Sequence, residues 1–554
     1  MNDIGKTNLL SAMRYLFDRD MRRNDLVETD YFGRNTSKPI EIFVSLSIAV
    51  ECPDTQKLRA KLKGSIGSDC NTVCLKLIAA YNEQENSGDI RLLWGGSEDK
   101  LVEMGVKGNG YFAIDDVFRV YYINSYVDLH TLFKKNIGAL VKKDENSRFE
   151  DRAAELAIET KVEEINAEIS KLSGVKNFES KLTPSYRRMR DEDISITIKS
   201  DFAISHLYSN IVPYIHKDGE TGEYPTQGEG RKKLVAYSVY NIIAESTADK
   251  KVNLFMIEEP ETHLHRSMQA ALSHFLFNPK ANDNMLNYLF ISTHSPFILS
   301  DMDNVSLVRI YNCDKIVSGS EMYKVPADWK NSRRKLNRLL SEAVFADFVL
   351  LTEGESECIL FERVLSQIDP YYESKGIYVI DVKGVGFKPY INILSKLGIK
   401  CVVKTDNDIT RRKRTNAEKM ASKPIPYQTL GFSRINVLVQ SINPDAELLL
   451  PTKNSLTELD ATEEAKRKHY EDNKVTLDNI RSTYNIFLSC CDLEEDLFEC
   501  LGDRLEELVG SSPVKVLKAS KQHNMVELVG KLTDEDCRKI YEHYNFACLK
   551  AVQI

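Results

Sequence analysis

Residues 348–357 read FVLLTEGESE, and this stretch decides the fold of the second half of the chain. An apolar run, Phe348–Thr352, ends in a carboxylate, Glu353. A glycine, Gly354, follows, and a second acid, Glu357, lies four residues beyond Glu353. A short apolar run stopped by glycine and continued by helix-favouring residues reads as a buried strand passing into a helix. With a helix beginning near Gly354, Glu357 falls in its first turn and faces the same side as Glu353. Outward from this point the pattern recurs: helix Cys358–Gln367, strand Ile377–Val382, helix Tyr390–Leu397 and strand Cys401–Thr405. Strands alternating with helices predict parallel-sheet α/β structure.

The last of these strands ends in Asp406-Asn407-Asp408, and its i, i+2 spacing lets both carboxylates point toward one cation. Two acidic pairs at the carboxyl edge of a parallel sheet suit the oxygen-preferring ions Mg²⁺ or Mn²⁺. Two such ions can stabilise the attacking and leaving oxygens of a phosphodiester displacement. No serine or tyrosine nucleophile motif lies nearby, so the expected nucleophile is water. Farther on, Asp492-Leu493-Glu494 reads either as additional ligands or as the acid-rich start of a helix. Arg411-Arg412-Lys413-Arg414 reads either as a solvated loop or as a patch that positions DNA phosphates. No basic strand is interleaved with aromatics, so contact with a duplex backbone is expected rather than single-strand stacking.

The first half carries a nucleotide pattern in four pieces. Gly5-Lys6-Thr7 closes a G-x-x-x-x-G-K-[ST] loop in which Met1, Asn2, Asp3 and Ile4 fill the variable positions and Asn8 follows. In such a loop backbone N–H groups cradle phosphates, Lys6 reaches the β/γ-phosphates and Thr7 takes Mg²⁺. The strand that normally delivers the loop is absent. Either the true start lies upstream, or a central strand and part of the nucleotide site are lost; the chain is taken as truncated within the loop, with its first strand expected within a few tens of residues upstream because such loops follow their strand directly. Next, Gly228 and Gly230 in QGEGR expose backbone N–H groups that could bind a γ-phosphate on a second subunit. Glu258 ends the apolar strand Val252–Ile257, where it can hold Mg²⁺ through water, and its neighbour Glu259 can polarise the attacking water. His294 follows a second strand, Tyr288–Ser292, and can sense the γ-phosphate.

Composition bounds these readings. The chain has 554 residues, 42% hydrophobic and 28% charged, with a net charge of −8. This is ordinary globular composition for roughly three to four domains, and it excludes bulk attraction to nucleic acid. Eleven cysteines without a C-x-x-C read as reduced cytosolic thiols. No signal peptide or apolar run of about 18 residues is present, so a cytoplasmic protein without a membrane partner is expected. Between about 144 and 200 the sequence turns charged and helix-favouring, with Ala154, Leu156, Ile158, Val162, Ile165 and Ile169 at near-helical spacing. These are projecting helices inserted for self-association, or else a solvated helix on the domain surface. A domain boundary is expected within 315–345 and is taken at 335/336, giving an ATPase domain 1–335 and a nuclease domain 336–554 with C-terminal helices.

In their order, the four nucleotide pieces resemble the ATPase heads of the ABC superfamily, including the SMC and RecF-like DNA proteins. Two positions depart: Glu258 stands where aspartate is usual, and QGEGRKK replaces a serine-led double glycine. The E-G…D-x-D pattern resembles the Toprim domain of topoisomerases, primases and OLD-family (overcoming lysogenization defect) nucleases, whose later motifs match Asp492, Glu494 and Lys521. An ABC-type head, mixed sheet with helices, followed by a Toprim domain with a parallel sheet is the OLD-family architecture. MNDIGKTNLL, IEEPETHLHRSMQ, STHSP, KTDND, HNMVELV and FACLK are most similar to the nuclease subunits of Gabija anti-phage systems. The resemblance implies an endonuclease that nicks or cuts duplex phage DNA with Mg²⁺ or Mn²⁺ at a two-metal site, under control of ATP. Glu353, Asp406 and Asp408 would bind one metal, and Glu357 and Glu494 would contribute to the other, with Asp492 beside them. Lys521, or Lys518 in the alternative register, would stabilise the charge of the transition state. The resemblance further implies a homotetramer and a separately encoded UvrD-like helicase subunit. Two other classes remain: a non-catalytic SMC/RecF-like ATPase with a structural Toprim domain, and a strand-passing or primase-type enzyme. Strand passage needs a nucleophilic tyrosine in a DNA-gate domain, and no segment looks like one.

Overall fold

In the computed structural model the described residues are 5–61, 70–107, 111–140, 148–189, 195–197, 214–216, 223–225, 228–247, 251–277, 288–300, 305–312, 318–325, 333–384, 386–421, 423–447 and 449–552. They divide into two units, Gly5–Ser295 and Pro296 onward.

The first unit opens with helix α1 (Lys6–Phe17). Its start is set by Gly5, whose φ of 98° lies in the left-handed region that glycine adopts without strain. Strands β1 (Ile40–Ser47), β2 (Thr72–Asn82), β3 (Ser87–Gly95) and the short β4 (Val102–Glu103) form an antiparallel sheet in sequence order. A second sheet is parallel, with β6 (Val252–Glu258) between β5 (Phe118–Ile123) and β7 (Leu289–Ser292). Central β6 is buried at all but one position, Asn253, and Leu254–Ile257 form its apolar run. Leu10, Leu16 and Phe17 of α1 join Val73, Leu75 and Leu77 of β2 and Leu254 and Met256 of β6 in one core. Helices α2 (Arg148–Ile169) and α3 (Ser173–Met189) occupy the expected insertion and leave Leu156, Ile165, Leu172 and Phe178 exposed. Most of the remaining 144–200 stretch lies outside the described residues. Helices α4 (Glu229–Thr247) and α5 (Arg266–Phe277) flank β6 in the chain.

The second unit begins earlier than the 335/336 boundary expected from sequence. The antiparallel pair β8 (Ser306–Asn312) and β9 (Ser318–Lys324) belongs to it, because Leu307 and Tyr323 pack on its core. Four parallel strands follow, in the order β11 (Ile377–Asp381), β10 (Phe348–Thr352), β12 (Lys400–Thr405) and β15 (Ile486–Leu488). Val349 and Leu351 of β10 enter one apolar cluster and Leu350 enters another, so this sheet is buried on both faces. Helices α6 (Glu355–Ile368) and α7 (Phe387–Lys396) make the crossovers. After β12 the chain makes a small antiparallel hairpin, β13 (Ile409–Arg411) with β14 (Tyr427–Thr429), and enters helix α8 (Leu430–Ile442). Helices α9 (Leu493–Leu501), α10 (Pro513–Ala519) and α11 (Lys521–Lys531) come after β15. Among the described residues every cysteine is free, and no helix is long and apolar enough to cross a membrane.

Candidate active site

Parallel strands deliver their carboxyl ends to one edge of a sheet, and the acids of the second unit converge there. Glu353 follows β10, Glu357 sits in the first turn of α6, and the Asp406–Asp408 loop follows β12. Glu494 lies in the first turn of α9 after β15, and Lys521 begins α11. One oxygen of Glu353, Oε1, accepts the Asp406 N–H at 3.0 Å, the Thr405 hydroxyl and the Arg434 guanidinium. The same guanidinium donates to Asp408 Oδ2 at 2.7 Å. Arg434 was missed from the sequence, where it stands alone in the apolar helix LGFSRINVLVQ. Its signal was that isolation, since a buried arginine requires carboxylate partners.

Gly354 leaves room for Glu357: a Cβ there would lie 3.0 Å from its Oε2, so the carboxylate would have to give way. Glu357 is buried, and burial pushes its carboxyl up to about 7, with Glu494 adding repulsion. Asp406 is held well above the carboxylate range by burial, then by Glu357, Asp492 and Asp408. Burial also raises Asp408 and Glu494. Glu494 is 1% exposed, and its buried Oε2 has no partner among the described residues. Lys521 stands 3.7 Å from Glu494. Burial works to lower its amine, but Glu494, Asp406, Asp492 and Glu357 together raise it.

Asp492 stands at a helix start beside the acid cluster. It is the N-cap of α9, accepting the Glu495 N–H at 3.0 Å, while its second oxygen lies 2.8 Å from Lys518. Both its oxygens are engaged, as are those that Glu353 and Asp408 give to Arg434, and its charge adds to the field on Asp406. Lys518 is equally committed, at 2.8 Å from both Asp492 and Glu463. Lys521 is therefore the lysine turned toward Glu494. The basic run divides similarly: Arg412 makes two hydrogen bonds to Glu418 at 2.7 and 3.0 Å, Arg411 donates to Tyr427, and Arg414 donates to a backbone carbonyl. Of the four, only Lys413 has an exposed side chain that makes no hydrogen bond or ion pair to the described residues; its carbonyl accepts from Arg412 at 3.1 Å.

Whether this cluster suits a divalent ion can be judged from its donors. Among the described residues no three histidine, cysteine, aspartate or glutamate side chains already enclose a point fit for a metal. Their oxygens are drawn instead onto Arg434, Lys518 and Lys521. The donors are nevertheless all oxygen. One buried oxygen lacks a partner, and the burial that disfavours the charged forms of Glu357 and Asp406 is a cost that a cation would relieve. Glu353, Glu357, Asp406, Asp408 and Glu494 thus fit Mg²⁺ or Mn²⁺.

The nucleotide pieces meet in the first unit. Lys6 Nζ lies 2.5 Å from His294 Nε2, and burial lowers both groups. Thr7 and Asn8 are exposed in the first turn of α1, and Asn2 and Asp3 lie outside the described residues. Buried Glu258 accepts the Tyr122 hydroxyl at 2.6 Å on Oε2, and its Oε1 has no partner among the described residues. Glu259 adopts φ 40°, a costly backbone for a residue with a side chain. Its N–H donates to the Ser292 carbonyl at 2.8 Å, and its own carbonyl accepts from buried Lys233 at 3.1 Å. Its carboxylate is 4.0 Å from His294. Sequence reasoning gave no role to Glu261, which accepts the Thr293 hydroxyl at 2.8 Å and the His294 N–H at 2.7 Å and so sets the tip of β7. Gly230 has a packing reason, because a Cβ there would stand 2.9 Å from the His263 carbonyl. Gly228, exposed before α4, meets nothing within 4 Å.

Comparison with known proteins agrees with this division. The model of the overcoming lysogenization defect protein-like TOPRIM domain matches residues 344–408, and that of an AAA ATPase domain matches residues 102–299. The chain is 37% identical over 556 residues to the endonuclease GajA of Bacillus cereus strain VD045, covering 99% of this chain and 94% of the relative. It is 26% identical to the GajA of Bacillus cereus strain HuB5-5, covering 49% of this chain and 42% of that one. A solved structure, the C-terminal region of the Burkholderia pseudomallei OLD protein, matches 38% of this chain and 99% of its own at 20% identity, with a TM-score of 0.24.

Proposed function

From its membership of the GajA endonuclease family, we propose that this chain is a DNA endonuclease that hydrolyses phosphodiester bonds of duplex DNA with divalent metal ions under nucleotide control. The observation that carries the reading is the carboxylate cluster at one sheet edge, with a buried Glu494 oxygen left unpartnered and Lys521 beside it. Bound there, two Mg²⁺ or Mn²⁺ ions supply an activated water and charge compensation at the attacking and leaving oxygens. Glu353, Asp406 and Asp408 would hold one ion, and Glu357 and Glu494 the other. Lys521, 58% exposed and kept protonated by the surrounding acids, would meet the phosphate as its charge grows. Lys413 on the β13–β14 hairpin offers one backbone contact.

In the head, Lys6 and His294 hold each other where a γ-phosphate would come between them. Glu258, Glu259 and the strained turn they share would then report nucleotide occupancy. Assembly as a homotetramer, partnership with a UvrD-like helicase and a role in Gabija-type anti-phage defence complete the reading.

Plasmid nicking with Mg²⁺ or Mn²⁺, with and without ATP, tests it. Wild-type protein should nick, and Glu353→Ala should lose nicking while keeping its melting transition. Metal-dependent nicking that survives Glu353→Ala would overturn the site assignment. A wild-type protein that binds DNA and ATP but never nicks would instead be the non-catalytic ATPase.

A further inference from the structure

A buried guanidinium lies within the carboxylate cluster, and it arrives there from helix α8 by a route the sequence builds carefully. Gly431 comes first. A Cβ on it would stand 2.9 Å from the Asp406 carbonyl and 3.0 Å from both Asn407 Cα and the Asp408 nitrogen, so only glycine lets α8 lie this close to the loop. The Gly431 N–H donates to the Asp408 carbonyl at 3.0 Å, pinning the contact. Arg434 follows three residues later, on the same face of the helix. Phe432, Ile435 and Leu438 are buried around this turn, so the arginine has little route to solvent.

Its hydrogen bonds are divided with a consistent geometry. Nη1 donates to Glu353 Oε1 and Thr405 Oγ1, and Nη2 donates to Asp408 Oδ2 at 2.7 Å. Each carboxylate thus gives one oxygen to Arg434. No described group takes Glu353 Oε2 or Asp408 Oδ1. A planar guanidinium fixes two carboxylates at a set separation, which the single ammonium of lysine does not.

We propose that Arg434 is a positioning residue for the first metal. It holds Glu353 and Asp408 by one oxygen each and presents the other oxygen of each to the ion. This rests on the metal-dependent reading above. Without Arg434 the two acids repel each other and lose the guanidinium that spaces them, so the ion must organise its own ligands. Removing a partner that orients a metal ligand weakens binding by about 10- to 100-fold.

The test is Mn²⁺ titration of the full chain without DNA, followed by electron paramagnetic resonance, for wild type, Arg434→Gln and Arg434→Lys. The expected result is weaker Mn²⁺ binding by about 10- to 100-fold in Arg434→Gln and an incomplete recovery in Arg434→Lys. ATP affinity of the head should not change. Equal or tighter Mn²⁺ binding in the variants would overturn the proposal, since Arg434 would then be a bystander or a competitor of the ion. If Arg434→Gln loses its melting transition, Arg434→Lys, which keeps the buried charge, decides between the same outcomes. Failure of the underlying reading looks different: wild type itself would bind no Mn²⁺, and Glu353→Ala would change nothing.

Discussion

Glu357 joins burial to proton binding, and this gives the metal-free protein an unusual pH response. Its carboxyl is pushed up to about 7, whereas in an unfolded chain it loses its proton near its ordinary value of about 4.3. Between those values the folded protein binds more protons than the unfolded one, so stability falls as pH rises. Asp406, Asp408 and Glu494 are raised as well and act with the same sign. The metal-free melting temperature should therefore decline from about pH 5 to about pH 8, and Mg²⁺ should restore it at the upper end. A flat profile without metal would count against the buried cluster. Glu494→Gln should raise the metal-free melting temperature by removing a buried charge, yet reduce cleavage by about 100-fold or more as a ligand is lost. An unchanged nicking rate in that variant would exclude Glu494 from the site. These acids were legible in the sequence because strand-end carboxylates announce themselves beside apolar runs. Arg434 was not, because its partners are set by tertiary approach and lie 26 and 81 positions away.

The β13–β14 hairpin shows what happens to a charge run once it folds. Arg412 and Glu418, with the Thr415 cap, tie together the segment that joins its two strands, so Arg412→Ala should loosen the hairpin. Lys413→Glu should instead weaken duplex binding at constant fold and reduce the slope of log affinity against log salt by about 1. An unchanged salt slope would remove Lys413 from the DNA path. In Gly431→Ala a methyl is forced against the Asp406 carbonyl, and overpacking of this kind costs about 1–3 kcal/mol, which a denaturant melt measures. The main strands were readable at this scale. Phe348–Thr352 is observed with the expected bounds, and helix α6 begins at Glu355, next to the Gly354 start expected for it and ahead of the Cys358–Gln367 core of its apolar pattern. The hairpin was not readable, because its strands are three residues each and carry charges in place of an apolar alternation. Asp492 illustrates the same limit, since an acid before a helix fits a cap and a ligand equally well and can be both.

Across the molecule, the nucleotide and carboxylate clusters belong to separate units, each with its own core. Lys6→Ala should therefore abolish ATP binding while leaving Mn²⁺ uptake by the second unit intact, a pair of results that calorimetry with each ligand can read. Loss of both in the one variant would mean that the units do not fold independently. One feature of the second unit reaches beyond its own chemistry. The hairpin leaves the sheet at Asp408 and returns through Gly431, which is hydrogen-bonded back to Asp408. On the proposed reading, a phosphate backbone gripped by the hairpin and a cation held by Asp408 would act on one short length of chain. Thermodynamic reciprocity follows: whatever factor DNA adds to cation affinity, the cation must add to DNA affinity. Free Mg²⁺ would then set how long the protein dwells on a duplex as well as how fast it cuts.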